Sequence, residues 1–349
     1  MTRPWSDARN ASLRFGHTPA LGHSAIDCFP PMHPRSIPLL SLLAGVLLAI
    51  LALLGGCRPA SDAASSSPGK QADTAPILRD SVLSPPDTTA KRFEAAMTNA
   101  LSQRNEAESI GALMQTIGLY FRGRPYLAGT LDQPPTETLV VRFDGFDCVT
   151  FVETTLALAR SAQMADSSYS GFARRLAEQR YRDGGPVGYC GRLHYFTEWL
   201  ADNAERALVR RRGDELNGRP LRGTLDFMST HRSAYDRFAT NDSLFACIRT
   251  MESRLQTRQQ NDPVRYVPQD SIRAVHDQLR AGDIVAFVSS INGLDVAHTG
   301  LVYVAEDGSR GLLHASLSDG VVVSPDLQRY VQKIDRQIGM VVARPQPMP

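Results

Sequence analysis

The chain changes period at Gly282. Before it, apolar residues recur at helical spacing. Over residues 91–120 the spacing runs through Phe93, Met97 and Leu101, then Leu113, Ile117 and Tyr120, until Gly123-Arg124-Pro125-Tyr126 interrupts it. Residues 149–162 set Val149, Val152, Leu156 and Ala159 on one face, and 172–180 and 193–207 also read as helices. A short run at 139–143 is strand-like. After Gly282 the apolar runs at 283–288, 296–305, 312–316 and 320–323 are short and β-branched, separated by Gly, Asp and Asn, which reads as an antiparallel meander. Helices first and strands last predict an α+β domain.

A length of 349 residues suggests about two domains. However, residues 58–92 are rich in Ser, Ala, Asp, Thr and Pro, with too little apolar surface to fold. They read as a flexible tether, leaving 93–349 as one elaborated domain. The net charge of +2, with arginines spread along the chain, gives no electrostatic reason to expect nucleic acid. No Gly-rich phosphate loop follows a strand. Five cysteines without a CxxC pair argue against a disulfide scaffold and against structural zinc. No cofactor or metal is expected, and the expected state is a monomer.

The apolar run at 37–56 is long enough to span a bilayer. His33 and Arg35 precede it, and Leu54-Gly55-Gly56-Cys57 closes it. This arrangement resembles a bacterial lipoprotein signal, with lipidation expected at Cys57. The alternative is an uncleaved membrane helix with an incidental cysteine. Residues 1–31 are polar and Pro-rich, so Met32 reads as the start of translation. Residues 1–57 are thus a signal region. Arg58 stands where an Asp favours inner-membrane retention in enteric bacteria, so the resemblance implies a lipid anchor on the periplasmic face of the outer membrane.

Chemistry begins at Phe143-Asp144-Gly145-Phe146-Asp147-Cys148-Val149-Thr150-Phe151-Val152-Glu153. Gly145 and Asp147 mark a turn, and Asp147 is a good N-cap. Cys148 would then lie in the first helical turn, where unpaired N–H groups and the helix dipole favour a thiolate and could hold an oxyanion. A buried structural thiol is the alternative. A cysteine nucleophile needs a base, and the meander carries two histidines, His298 and His314. Either alone could be a core histidine. Together they suggest a Cys–His–polar arrangement, one ring acting on the thiol and the other orienting it.

Gly123-Arg124-Pro125-Tyr126, Phe146-Asp147-Cys148, His298-Thr299-Gly300 and His314-Ala315-Ser316 together resemble the NlpC/p60-type cell-wall cysteine hydrolases, papain-like in fold. The N-acetylmuramoyl-L-alanine amidase-like branch is the nearer resemblance, over about residues 105–345. It is carried by Pro125-Tyr126-Leu127-Ala128-Gly129-Thr130-Leu131, Asp147 to Glu153, Gly191-Arg192-Leu193-His194-Tyr195, Asp202-Asn203, Gly293-Leu294-Asp295-Val296-Ala297-His298 and His314-Ala315-Ser316. The resemblance implies Cys148 as nucleophile, His298 as base and His314 as third member. Tyr126 would line the site beside Cys148, with Asp147 near substrate. Arg192, His194 and Tyr195 would form a groove wall for sugar or peptide; a helix start with a packed tyrosine is the plainer reading of that block.

The implied core is N-terminal helices, with the nucleophile at a helix start, on an antiparallel sheet. The long gap between Cys148 and His298 requires an insertion at about 165–275, expected to be mostly helical. Cys190 replaces the serine expected from the branch pattern, which leaves Cys190 and Cys247 as a candidate pair in an oxidising periplasm. A two-residue turn at Asp307-Gly308 would set His298 opposite Leu317 and His314 opposite Leu301, on opposite sheet faces. A bulge or longer loop, with Gly300, Gly308 and Gly311 as candidates, must correct that register.

The activity implied is hydrolysis of the amide between N-acetylmuramic acid and L-alanine through a thioester, with peptidoglycan or muropeptides as partners. A cut at the D-glutamyl–diaminopimelate bond is the near rival. A zinc amidase using Cys148, His298 and His314 as ligands, and a non-catalytic wall-binding lipoprotein, are the other classes.

Overall fold

The computed structural model describes residues 84–348. The signal region and Cys57 lie outside the described residues. The first helix, α1 (Asp87–Gln103), starts inside the stretch read as tether. Its first turn is polar, and its buried positions begin only at Phe93, so hydrophobic spacing alone sees the helix late. The single periodicity over 91–120 resolves into α1 and α2 (Ile110–Tyr120). Ser109 makes the break, its side chain accepting from the Ala112 N–H at 3.1 Å.

The remaining helices are α3 (Cys148–Gln163), α4 (Tyr169–Arg180), α5 (Phe196–Glu205), α6 (Phe227–Thr230), α7 (Asp236–Ala239), α8 (Asp242–Asn261) and α9 (Leu327–Gln332). The strands are β1 (Val209–Arg211), β2 (Arg219–Pro220), β3 (Arg265–Pro268), β4 (Ile284–Ser289), β5 (Val296–Val304), β6 (Arg310–Ser316), β7 (Gly320–Ser324) and β8 (Gln337–Pro345). They form an antiparallel sheet in the order β2-β3-β8-β4-β5-β6-β7, and β1 also pairs with β8. The meander expected after Gly282 is β4 to β7. The mixed α+β architecture expected from the sequence is the one observed.

Three features depart from the sequence reading. Residues 139–143 form no strand, and the Val140 carbonyl accepts from Arg180 at 2.7 Å. The strand β8, absent from the sequence reading, lies inside the sheet between β3 and β4. Its Met340, Val341, Val342 and Ala343 are all buried, so it shows no alternation by which to recognise it. The stretch at 165–275 is helical in α4 to α8, but it also contributes β1 and β3 to the edge of β8.

Alternation in the strands sorts the interior into layers. Ile284, Ala286, Leu301, Leu313 and Val341 face a core shared with Phe93, Ile117, Phe151, Leu156 and Trp199 of the helices. Val285, Phe287, Val302, Leu312 and Val342 face the other side, under Ile272, Val275, Leu327 and Val331. A third core, of Tyr189, Tyr195, Phe227, Met228, Tyr235, Phe238 and Met251 with Leu294, belongs to the insertion.

Candidate active site

Cys148 is the first residue of α3, as its sequence context predicts, and is fully buried. Asp147 caps the helix: its carboxylate accepts from the Thr150 N–H at 2.7 Å and hydroxyl at 2.8 Å, and the Asp147 N–H donates to Thr150 Oγ1 at 3.0 Å. Burial pushes the Asp147 carboxyl up, with the Thr150 bonds opposing. Asp147, expected near substrate, borders the cleft described below, but these bonds occupy its side chain. The turn before α3 is clasped by residues 125–127: the Phe146 N–H donates to the Pro125 carbonyl and the Leu127 N–H to that of Phe146. This pairing sets Tyr126 against Phe146. Gly145 permits it, since a Cβ there would stand 2.6 Å from the Pro125 oxygen. The Cys148 sulfur is disulfide-bonded.

The two histidines meet. His298 Nε2 lies 2.8 Å from His314 Nδ1, and His314 Nε2 lies 3.2 Å from Ser324 Oγ. The hairpin explains why. Leu301 pairs with Leu313 and Val304 with Arg310, one step from the register of a two-residue turn. Residues 305–309 close the loop instead, with the Ala305 N–H donating to the Ser309 carbonyl and Gly308 at φ 80°. Both imidazoles therefore share one face, the face of Phe287. Gly300 gives His314 its room, because a Cβ there would come within 2.9 Å of the His314 Cβ.

Two proton placements satisfy this network. In one, His298 Nε2 donates to His314 Nδ1 and His314 Nε2 to Ser324; in the other, His314 Nδ1 donates to His298 Nε2 and the Ser324 hydroxyl to His314 Nε2. The first makes His298 Nδ1 an acceptor. Burial, with the neighbouring His314 adding to it, holds the His298 pKa well below the usual imidazole value. Burial lowers His314 to about 4, with Asp319 opposing. Both rings are neutral at pH 7. Ser324 was not singled out from the sequence; it lies on the His314 face of β7, because His314 pairs with Val322 and Leu312 with Ser324. Strand parity was the available signal.

Asp147, Val149, Glu153 and His298 line one cleft, with the insertion as its other wall. The cleft has an empty volume of about 1080 Å³, counting open solvent. Arg192, His194 and Tyr195 all line it, and each is occupied by partners within the protein. Arg192 reaches Asp132 at 2.5 Å, the Leu131 carbonyl at 3.0 Å and Glu137 at 3.5 Å. His194 Nε2 donates to the Tyr189 carbonyl at 2.8 Å, and burial, then Arg192, keeps the ring neutral. The Tyr195 hydroxyl donates to Glu252 at 2.8 Å and accepts from the Met228 N–H at 3.1 Å, tying α6 to α8. These residues shape the wall. Cys190 and Cys247 are disulfide-bonded, with Cα atoms 5.8 Å apart. Among the described residues, no group of three or more His, Cys, Asp or Glu is placed to hold a metal ion. No helix among them is long and apolar enough to cross a membrane.

The profile of the AmiA-like family, described as N-acetylmuramoyl-L-alanine amidase-like, matches residues 116–340. No curated protein matches. Among solved structures, an N-acetylmuramoyl-L-alanine amidase from Bacteroides uniformis is 29% identical, with 72% of this chain and 99% of that one covered at a TM-score of 0.61. A Bacteroides fragilis protein named as a candidate xylanase is 33% identical, covering 65% and 98% at 0.60. A Legionella pneumophila protein, 19% identical over 74% and 97% at 0.54, shares the fold.

Proposed function

The chain belongs to the AmiA-like, N-acetylmuramoyl-L-alanine amidase-like family, and we propose that it is a cysteine hydrolase cutting the amide between N-acetylmuramic acid and L-alanine. One observation carries the reading: the His298–His314–Ser324 relay, which holds the His298 ring in the cleft bordered by the capped start of α3 and, with the proton on His298 Nε2, makes Nδ1 the base. A papain-like, NlpC/p60-type core is part of the same proposal. The acting form of Cys148 is its reduced thiol.

His298 Nδ1 takes the thiol proton as the Cys148 sulfur attacks the lactyl carbonyl carbon. The C–S bond forms and the carbonyl π pair moves onto oxygen. N–H groups at the start of α3, including that of Cys148, stabilise this oxyanion. Collapse breaks the C–N bond, and His298 returns the proton to the alanine nitrogen. Water, deprotonated by the same ring, opens the thioester to a lactyl carboxylate and restores the thiol. Neutral imidazoles in the resting state suit this sequence, because His298 must begin unprotonated.

The Bacteroides fragilis neighbour raises glycoside hydrolysis, which uses a pair of carboxyl groups. The buried carboxylates of this cleft are engaged elsewhere: Asp147 with Thr150, Glu153 with Arg180 at 2.7 Å, and Asp295 with the Thr197 N–H at 2.7 Å. That arrangement favours the thiol chemistry. We further assign residues 1–57 as a lipoprotein signal with Cys57 lipidated, anchoring a monomer at the periplasmic face of the outer membrane with peptidoglycan as its substrate.

Defined muropeptides incubated with the reduced full chain, beside Cys148→Ala, test the reading by mass spectrometry. Stem peptide beginning with L-alanine, together with intact disaccharide, is the expected product, absent in the variant. Diaminopimelate fragments with L-Ala-D-Glu still on the sugar would move the cut into the peptide. Cleaved glycan would replace the amidase by a glycosidase.

A further inference from the structure

A second cavity lies apart from the cleft. It has an empty volume of about 1020 Å³, counting open solvent, and shares no lining residue with the cleft. Asp283 borders it, and Phe287, the strand partner of His298, follows about 13 Å further along the chain. Arginines from four places in the chain line this cavity: Arg104 just after α1, Arg210 on β1, Arg280 in the turn before β4 and Arg344 on β8. The turn carrying Arg280 is pressed against the start of α2 because Gly111 has no Cβ; one there would overlap the Ala281 carbonyl oxygen.

The fold gathers these charges against their mutual repulsion. Arg210 and Arg344 stand directly opposite each other in the β1–β8 ladder, where like charges are unfavourable. Each is offset by one carboxylate. Arg210 pairs with Glu215, and Arg344 with Asp283 through two bonds of 2.7 Å, while the Gln278 carbonyl accepts a third at 3.0 Å. Asp283 also accepts from the Arg280 backbone N–H at 2.9 Å, not from its side chain. The Arg104 and Arg280 guanidinium groups have no hydrogen bond or ion pair among the described residues. Glu108, exposed at the rim, is the remaining carboxylate lining the cavity, so positive charge stays in excess.

The donors define the anion. A planar carboxylate is satisfied by one guanidinium fork. Forks that reach one space from separate elements suit an anion with oxygens in several directions and more than one charge, which is a phosphate group. We propose that this cavity is a phosphate-binding site, with Arg104 and Arg280 as its principal donors and Arg210 and Arg344 as its positive walls. The phosphate belongs either to an anionic lipid headgroup or to a soluble phosphate ester, and guanidinium recognition is the same for both. The site stands independently of the amidase reading, because none of its residues lines the cleft.

The test titrates the full chain with inorganic phosphate by calorimetry at low salt. Binding is expected, with Arg104→Ala and Arg280→Ala each weakening it about ten-fold, the loss of one charge-assisted hydrogen bond. Arg280→Lys keeps the charge but not the fork, and is expected to weaken binding several-fold. Arg222→Ala removes an exposed arginine outside the cavity and is expected to leave the affinity unchanged. Thermal unfolding checks that each variant is folded. Flotation with phosphatidylcholine vesicles, with and without phosphatidylglycerol, separates the two sources of phosphate. The apolar run at 37–56 is common to the wild type and to an Arg104→Ala, Arg280→Ala double variant. Retention that the double variant loses only on phosphatidylglycerol identifies a lipid headgroup. Equal retention, with phosphate binding lost, identifies a soluble ester. No binding of phosphate by the wild type would overturn the proposal. So would an affinity that both alanine variants leave unchanged, or that Arg222→Ala lowers as much.

Discussion

At the residue scale the proposed chemistry depends on which nitrogen of His298 faces the cleft, and His314 decides that. Replacing His314 by Ala removes the hydrogen-bond partner of His298 Nε2, so the ring loses the contact that fixes its orientation. The expected outcome is a fall in kcat of about a hundred-fold with KM little changed, read from muropeptide kinetics. Protonation gives a second check. The folded pKa of His314 is depressed to about 4 by burial, against about 6.5 when unfolded. Between those values the unfolded chain binds the proton and the folded chain does not. Stability is therefore complete above about pH 6.5 and declines as pH falls toward 4, the sign opposite to that of a salt-bridged histidine. His298, lowered by its own burial, acts in the same direction. Urea unfolding at pH 7 and pH 5 measures the difference, and the acid limb of kcat/KM is expected below pH 6.5. Gly300 supplies a steric test. Ala at this position brings its Cβ within 2.9 Å of both the His314 Cβ and the Leu313 oxygen, between strands that cannot separate cheaply. A loss of about 1–3 kcal/mol in denaturant unfolding is expected, with kcat falling because His314 is displaced.

Elements bring those residues together, and here the sequence was informative to a definable degree. The start of α3 was legible because capping is local: Asp147 and Thr150 sit three positions apart and form a reciprocal box. Asp147→Ala is expected to cost about 1–2 kcal/mol by thermal unfolding and to lower kcat by disturbing the turn that presents Cys148. Asp147→Asn, which keeps an acceptor for the Thr150 N–H, should recover most of the stability. The histidine pairing was legible only in part. Their presence on adjacent strands follows from β-branched runs on either side of Asp307-Gly308, but their common face depends on the loop being 305–309. A one-residue difference in loop length inverts a strand, and glycine placement alone does not distinguish the two. The strand β8 was hidden for another reason. It is buried on both faces, and the alternation that reveals a half-buried strand is lost there.

The whole molecule is a helix-covered sheet to which an insertion adds a third core, and the cleft is the seam between them. Local sequence could not place this insertion, because its contacts to the seam are non-local: Tyr195 to Glu252, Thr197 to Asp295, and Arg237 to Glu137 at 3.4 Å. Its Cys190–Cys247 bond closes a loop with a sequence separation of 57 residues. Cys190 neighbours Tyr189, which lines the cleft, and Cys247 lies on α8, which anchors Tyr195 through Glu252. The bond therefore ties that wall to its own support. A Cys190→Ser, Cys247→Ser double variant leaves Cys148 and the histidine relay untouched. Chain-entropy arguments place the stability loss at about 4 kcal/mol as an upper value. Its kinetic effect separates the two halves of the cleft. If the insertion serves only as ballast, kcat and KM on muropeptides will keep their ratio below the melting temperature. If it forms the glycan wall, KM for disaccharide-bearing substrates should rise several-fold while kcat holds, because the nucleophile and base are built on α3, β5 and β6. Steady-state kinetics well below the variant's own midpoint of unfolding distinguish these outcomes, and an equal loss in kcat would place the chemistry, as well as recognition, under the insertion's control.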